Sequence, residues 1–374
     1  MDDIIVMRRC LDLAGKGNGS VSPNPMVGCV IVKDGEIIGE GYHQELGGPH
    51  AEVNAIRSAA RSLEGAEVYV NLEPCSYFGK TPPCVDLLIE KRVRKVHAAM
   101  LDPNPRVNGE GVRRLRAAGI EVDVGLLEIK ARKLNEKFVK FMIEKTPFVT
   151  LKIAQSIDGK IALSAASPST KTPIEKYITS QDSLGKVHLL RSEYDAILVG
   201  AGTVRQDDPE LTVRFVKGKS PVRVILDGKV STSAKSRVFC TQAARTILIY
   251  DALMEKTSSS IRRKLSVLKK SGVGLLPLTA PGRKRISLSS VLTSLASQNF
   301  SSLLVEGGAD IFSQFIGAGL ADKIHIFTAP RILGRGKAFA DGLKLKSLSD
   351  AIVLKDLEVA EVGEDLMFTG YLRK

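Results

Sequence analysis

The sequence predicts a two-domain α/β protein. Three observations carry this reading. A chain of 374 residues with 44% hydrophobic and 25% charged side chains is ordinary globular material, and at roughly 100–200 residues per domain its length calls for two cores. Short apolar runs of strand length alternate with amphipathic helical stretches in both halves, the pattern of largely parallel, helix-covered sheets. The charge balance breaks at Thr146-Pro147: residues 1–146 carry 21 basic and 20 acidic side chains, residues 147–374 carry 33 and 21, so nearly all of the net +13 lies in the second part. Five cysteines in such a chain exclude a disulfide-stapled fold. No apolar run approaches the ~20 residues of a membrane span. The start, MDDIIVMRRC, lacks the basic, apolar, small-residue layout of a signal peptide, so a cytoplasmic location is expected.

Taken in order, Ile4 to Ala14 has helical periodicity, and Ser22-Pro23-Asn24-Pro25 is a turn leading into an apolar strand, Val27 to Val32. Lys33-Asp34-Gly35-Glu36 reads as a hairpin turn returning Ile37 to Tyr42. Pro49 opens a helix expected from His50 to about Leu63, because Pro suits a first turn and Val53, Ile56, Ala60 and Leu63 share one face. A strand at Glu67 to Leu72, a helix from about Cys84 to Lys91, a strand at Val93 to Met100, a helix at Gly109 to Ala118 and a strand at Glu121 to Gly125 continue the alternation. A single connecting helix is expected over Glu128 to Glu144. Beyond Pro147, strands are expected at Phe148–Ala154, Ala196–Val199, Val222–Leu226, Thr246–Ile249, Ser302–Val305 and Lys323–Thr328, with helices at Ser180–Arg191, Leu288–Gln298 and Ile311–Gly317. The domains are therefore placed at 1–146 and 147–374.

The first domain carries a metal-ligand set. His50 and Glu52 begin one helix, and Pro74-Cys75 with Cys84 lead into the next. In a βαβ layout both helix N-termini emerge at the same sheet edge, so one imidazole and two thiols can converge. A helix N-terminus favours the thiolate, and His with two thiolates suits Zn2+ with a fourth position open, the arrangement of a catalytic metal. Glu52, two residues after the His, fits the non-ligand proton carrier of zinc deaminases, taking a proton from water and protonating the pyrimidine ring and the departing ammonia. A lone His-x-Glu is usually a surface feature and a lone Cys a core residue; here the elements occur jointly and in the deaminase order. Cys10 and Cys29 lie in apolar patterns and are assigned to the core.

Eight residues separate Cys75 from Cys84, where the general deaminase pattern has two. The stretch Leu72-Glu73-Pro74-Cys75-Ser76-Tyr77-Phe78-Gly79-Lys80-Thr81-Pro82-Pro83-Cys84, together with Asn24-Pro25-Met26-Val27-Gly28, Gly41-Tyr42-His43 and Asp102-Pro103-Asn104-Pro105, resembles the bifunctional riboflavin-biosynthesis deaminase/reductase family. The resemblance implies a cytidine-deaminase-like zinc domain that deaminates a diaminopyrimidinone bearing a phosphoribosylamino group. Asn24, His43, Lys80, Asp102 and Asn104 would bind that substrate. Tyr77-Phe78 stands where the family usually has His-His.

The second half resembles the reductase half of the same family through Leu151-Lys152-Ile153-Ala154-Gln155-Ser156-Ile157-Asp158-Gly159-Lys160, Ala196-Ile197-Leu198-Val199-Gly200, Asp207-Asp208-Pro209-Glu210-Leu211-Thr212-Val213-Arg214 and Val305-Glu306-Gly307-Gly308-Ala309. This implies a dihydrofolate-reductase-like domain using NADPH. Cofactor contacts carry over to Ala154, Thr179, Thr203, Asp207 and the run Gly308, Ala309, Asp310, Ile311, Phe312, Ser313 and Gln314. Substrate contacts carry over to Lys152, Arg191, Leu211, Arg214 and Glu306. The physical side agrees, because small glycines at a strand-to-helix junction let a phosphate meet backbone N–H groups, Arg forks bind a sugar phosphate, and Glu306 can accept from ring N–H groups. The family's Trp-Ile-Thr is Tyr177-Ile178-Thr179 here.

The expected partners are small phosphorylated pyrimidines, with no nucleic acid and no membrane, in a homo-oligomer. The alternative is a nucleic-acid-editing zinc deaminase docking through its basic second half. Against it stand an aromatic content of 5%, low for base stacking, and a near-neutral deaminase half. A non-enzymatic zinc scaffold is the third reading. The basic runs between residues 256 and 285 are expected to form solvated faces.

Overall fold

The protein is described from a computed structural model over residues 1–78, 82–105, 107–163, 177–280 and 285–372. It divides into two compact units, Met1–Lys145 and Thr146–Lys374.

The first unit runs α1 (Asp3–Gly15), β1 (Gly28–Lys33), β2 (Glu36–Tyr42), α2 (Ala51–Ser58), β3 (Glu67–Val70), α3 (Cys84–Glu90), β4 (Lys95–Ala98), α4 (Glu110–Ala117), β5 (Glu121–Val124), α5 (Glu128–Leu134) and α6 (Glu136–Glu144). Its sheet has the order β2-β1-β3-β4-β5, with β3, β4 and β5 parallel and β1 antiparallel to both of its neighbours. The β1–β2 hairpin closes through Asp34 and Gly35, both at positive φ, as a tight hairpin with matching twist requires. One sheet face is covered by α2, α3 and α4 through Ala55, Leu88 and Leu115. The other is covered by α1, α5 and α6 through Met7, Ala131 and Phe138. Cys10 and Cys29 are fully buried in these cores.

Two expected helices differ from their sequence patterns. The helix after Pro49 stops at Ser58, because the Ser58 hydroxyl accepts from the Glu40 N–H (2.9 Å) and donates to the Glu40 carbonyl (2.8 Å), tying the helix end to β2. The expected helix 128–144 is broken into α5 and α6 at Asn135 (φ −99°, ψ 22°). The Asn135 side chain accepts from Met26 N (2.8 Å) and donates to Met26 O (2.9 Å), so a contact 109 residues away overrides the local helical period.

The second unit begins with β6 (Phe148–Ser156), β7 (Lys160–Leu163), α7 (Gln181–Ser192), β8 (Ala196–Gly200), α8 (Ala201–Asp207), β9 (Val222–Leu226), α9 (Arg237–Cys240) and β10 (Thr246–Asp251). It continues with α10 (Met254–Thr257), α11 (Ser259–Lys270), β11 (Gly274–Leu278), α12 (Leu288–Ala296), β12 (Ser302–Val305), α13 (Ala309–Gly317), β13 (Lys323–Ala329), β14 (Gly336–Ala338), β15 (Lys355–Val362) and β16 (Asp365–Tyr371). Nine strands form one sheet, β11-β10-β9-β8-β12-β6-β13-β16-β15, in which the seven from β11 to β13 are parallel and the β15–β16 hairpin is an antiparallel edge. All six strands expected from apolar runs are present; β8, Ala-Ile-Leu-Val-Gly, is buried along its whole length, as a doubly covered parallel strand should be. The basic run in α11 lies on an amphipathic helix that buries Leu265 and Leu268 while Arg262, Arg263, Lys269 and Lys270 stay exposed. Among the described residues no helix is long and apolar enough to cross a membrane.

Strand β12 enters between β8 and β6, so the chain's strand order reverses there. Loops leaving adjacent strands toward opposite sides open a crevice at the strands' carboxyl ends. In the first unit the equivalent edge is set by backbone contact between α2 and β2. A Cβ on Gly41 would lie 2.3 Å from Ala55 N and 2.6 Å from Ala51 O. Gly41→Ala is expected to push α2 off the sheet and cost about 1–3 kcal/mol, as overpacking typically does, seen as a lower denaturation midpoint for the first unit with the second unit unchanged.

Candidate active sites

In the first unit, His50 is the residue preceding α2 and Cys84 opens α3. His50 Nδ1 lies 3.3 Å from Cys84 Sγ and 3.5 Å from Cys75 Sγ. All three donor atoms fall within 4.8 Å of one another. Tetrahedral zinc with ordinary Zn–N and Zn–S bonds places such donors about 3.5 Å apart, so this set fits that ion. The Cys84 backbone N–H donates to Cys75 Sγ (3.3 Å). Hydrogen bonds from Cys84 and His50 hold the Cys75 thiol at about 4 despite its burial, whereas the bond to Cys75 and burial push Cys84 upward. Glu52 is buried, 3% exposed. Burial and the neighbouring Cys75 charge raise its carboxyl above the usual range, and its side chain also hydrogen-bonds Cys84.

Beside this cluster, the His43 ring meets the His50 ring edge-on, centroids 5.8 Å apart. His43 Nδ1–H donates to Pro49 O (3.0 Å), leaving Nε2 to accept from Asn24 Nδ2 (3.2 Å). These contacts assign a neutral imidazole, in accord with a burial-lowered pKa. Asp102 is buried and accepts from the Asn104 N–H (2.8 Å); Lys80 lies outside the described residues. Sequence reasoning missed two residues of this region. Asn71 accepts from Gly28 N (2.8 Å) and donates to Met26 O (2.9 Å), which pins the segment after Asn24. Glu73 accepts from the N–H groups of Asp102, Gly109 and Val112 (3.1, 2.8 and 3.1 Å). Its only sequence signal is an acid inside an apolar strand end, Val70-Asn71-Leu72-Glu73-Pro74.

In the second unit a cavity of about 1980 Å³ opens at the carboxyl ends of β6, β8 and β12. That is roughly twice the upper range of single small-ligand pockets, so it can hold two ligands. Lys152, Ala154, Thr179, Arg191, Thr203, Asp207, Leu211, Arg214 and Glu306 line it, as do Gly308, Ala309, Asp310, Ile311, Phe312 and Gln314. Ser313 does not: it is buried, and its hydroxyl accepts from the N–H of Gly342 (3.0 Å). Arg191 does not present its fork to the open space. It is bidentate to Glu306 (Nε–Oε1 2.7 Å, Nη2–Oε2 2.9 Å), and Lys152 Nζ lies 3.3 Å from the same carboxylate. Burial alone would raise Glu306, but the charges of Arg191 and Lys152 outweigh it and hold the carboxyl at about 2. Arg214 pairs with Glu210 (2.8 Å) at the more exposed rim.

Residues 147–368 match the model of the RibD C-terminal domain, and residues 1–100 match that of the cytidine and deoxycytidylate deaminase zinc-binding region. The riboflavin biosynthesis protein RibD of Aquifex aeolicus is 43% identical over 362 residues, 96% of each chain. The chain belongs to the RibD family. RibD of Escherichia coli is 37% identical, covering 98% of each chain. Among solved structures, Acinetobacter baumannii RibD superimposes with a TM-score of 0.86 at 34% identity, covering 99% of this chain and 98% of that one. A diaminohydroxyphosphoribosylaminopyrimidine deaminase/5-amino-6-(5-phosphoribosylamino)uracil reductase from Thermotoga maritima gives 0.82 at 39% identity over 98% of each. As a member of this family, the chain is a bifunctional deaminase and reductase enzyme of mixed α/β fold, with a zinc-binding deaminase domain before its reductase domain.

Asp102 makes the first site pH-sensitive. Burial, together with the charges of Glu73 and Cys75, raises its carboxyl to about 6 from the usual carboxylate range. A carboxyl raised on folding favours the native state most below its unfolded pKa, and that contribution is lost as pH rises through the folded value. Wild-type stability should therefore fall between about pH 4 and pH 6 by on the order of 2 kcal/mol relative to Asp102→Asn. Urea midpoints across that window check it: curves that run parallel for the two proteins would contradict the assignment.

Proposed function

We propose that the first unit hydrolyses 2,5-diamino-6-(5-phosphoribosylamino)pyrimidin-4(3H)-one to 5-amino-6-(5-phosphoribosylamino)uracil and ammonia, and that the second reduces the ribosyl group of this product to ribityl with NADPH. The observation carrying the first step is the buried Glu52 carboxyl beside the His50, Cys75 and Cys84 donors. Zinc held by those three residues would supply the Lewis acidity that makes water a nucleophile near neutral pH.

Glu52 carries the proton in this step. Its carboxylate takes one proton from the attacking water and gives it to the ring nitrogen, then takes the second from the hydroxyl so formed and gives it to the amino group as the carbon–nitrogen bond breaks and ammonia leaves; its raised pKa suits a group that must both take and give. Asn24 and the neutral His43 orient the pyrimidine edge. Asp102 and Asn104, at the start of the loop tied down by Glu73, face the sugar, and Lys80 is proposed for the phosphate.

For the reduction, NADPH supplies the reducing equivalent when bound along Ala154, Thr179, Thr203, Asp207 and the start of α13. Gly308 precedes that helix, and a Cβ there would meet nothing nearer than Thr203 Oγ1 at 3.8 Å, which leaves space for a phosphate over the helix N–H groups. Glu306, kept ionised by Arg191 and Lys152, accepts from the N–H groups of the uracil ring. Leu211 and Arg214 bound the sugar-phosphate end. Reduction of the ring-opened imine adds one hydride to C1′ and one proton from solvent to the nitrogen that joins C1′ to the pyrimidine, and positioning of C1′ supplies much of the rate.

Purified full-length protein with the diamino substrate and NADPH should release ammonia first and then consume NADPH. Glu52→Gln is expected to cut ammonia release by about 10²–10⁴-fold with bound zinc retained, and to leave NADPH consumption on pre-deaminated substrate unchanged. Stripping the metal with a chelator should divide the two activities in the same way. Unchanged ammonia release in either case would reject the deaminase assignment, and no NADPH consumption by wild-type protein on the deaminated substrate would reject the reductase assignment.

A further inference from the structure

His188 lines the reductase cavity from α7, one helical turn before Arg191, and nothing above gives it a role. Its surroundings fix its protonation by geometry. The backbone N–H of Arg214 donates to His188 Nδ1 (2.9 Å). An imidazole whose Nδ1 accepts must carry its proton on Nε2. Nε2 lies 3.4 Å from Arg191 Nη1, itself a donor that is directed to the Thr212 carbonyl (3.1 Å). Two donors therefore face each other, and among the described residues the Nε2–H has no acceptor. The ring is held in place: it is 2% exposed and tilts against Phe215 with centroids 4.4 Å apart.

A buried donor without an acceptor costs free energy unless a ligand brings an acceptor. The nearby charges say what kind. Arg191, Arg214 and Lys152 all bias the imidazole toward its neutral form, against the single opposing charge of Glu306, and burial acts in the same direction, so the group stays at about 4 and is a neutral donor at pH 7. Glu306 is already committed to Arg191 and Lys152. The potential at Nε2 is thus positive while the ring itself is uncharged, which favours an anionic oxygen over a hydroxyl.

We infer that His188 is a substrate-binding residue of the reductase, donating from Nε2–H to a phosphate oxygen of the phosphoribosyl substrate beside Arg214. This rests on the reductase reading above and adds a recognition element to it. The role is that of a fixed neutral donor, since the Arg214 N–H that occupies Nδ1 and the surrounding cations leave no place for a second proton.

Steady-state kinetics of the full-length protein on the deaminated substrate and on the same compound without its phosphate test this. His188→Ala should raise KM for the phosphorylated compound by about 10- to 100-fold, the equivalent of one hydrogen bond to a charged acceptor. KM for NADPH and for the dephosphorylated compound should stay within about twofold. His188→Gln, which keeps an N–H donor on a side chain of comparable reach, should recover most of the loss. Equal impairment with both compounds would mean that His188 only supports the fold of the site, and an unchanged KM for the phosphorylated compound would mean that it does not touch the phosphate; either overturns the inference. Wild-type protein that fails to reduce the deaminated substrate would instead remove the reductase reading, and the inference with it. Ammonia release by the first unit reports whether each variant is folded and metal-loaded.

Discussion

Glu73 accepts three backbone N–H groups from inside the protein, and the geometry of the deaminase site follows from that contact. The carboxylate stands three residues after β3 and two before Cys75. It reaches Asp102 at the end of the β4 segment and then the first turn of α4. One side chain thereby sets the height of Cys75, the position of Asp102 and the entry angle of α4. Hydrogen bonds to a buried charge contribute about 1.5–3 kcal/mol each, and removing the carboxylate would leave three amides unpaired. The second unit repeats the device. Asp195 accepts from Ser301 N and Ser302 N (2.8 and 3.0 Å) to hold β12 beside β8, and Asp365 accepts from Ser180 N (2.7 Å) to anchor the start of α7, the helix that carries His188 and Arg191. Carboxylates at strand and helix ends do for these loops what ladder hydrogen bonds do for the strands.

What the sequence made legible divides along the range of the interactions concerned. Strands β6, β8, β9, β10, β12 and β13 were readable because a doubly covered parallel strand is rich in apolar residues. The His50, Cys75 and Cys84 set was readable because metal donors are rare residue types at helix starts. Asn135 was not, since nothing in the helical period over 128–144 shows that its amide is claimed by Met26. Nor was the β15–β16 edge: β15 is exposed along nearly its whole length, so it lacks the inside-outside alternation that marks a half-buried strand. At the reductase site the residue types were legible and their partners were not. An Arg fork is equally suited to a phosphate and to a carboxylate, and only the fold shows that Arg191 meets Glu306.

The concentration of charge in the second half acquires a more limited meaning from the same facts. Lys152 and Arg191 are spent on one carboxylate. The basic side chains of α11 are held in water by an amphipathic helix, apart from Lys264, whose ammonium donates to the carbonyls of Val230 (2.8 Å) and Thr232 (3.0 Å). Arg285 pairs with Asp310 at the start of α13 (2.6 Å). Among the described residues these basic groups are individually solvated or locally paired.

The two sites solve opposite versions of one electrostatic problem. Each buries acidic groups, and buried anions need a cation or a proton. In the second unit the cations are part of the chain: Arg191 and Lys152 keep Glu306 ionised, so it is a permanent acceptor and cannot shuttle a proton. In the first unit Glu52, Cys75 and Cys84 act chiefly on one another, and burial raises Glu52 and Cys84 toward their protonated forms. A divalent cation is the partner that this donor set matches, and metal binding displaces thiol protons. Glu52, which completes no ligand set, is then left as a buried carboxyl that burial raises above the usual carboxylate range. The first unit can therefore move protons through a side chain, whereas the second presents a fixed acceptor held by its own cations. That division follows from where each unit obtains its positive charge.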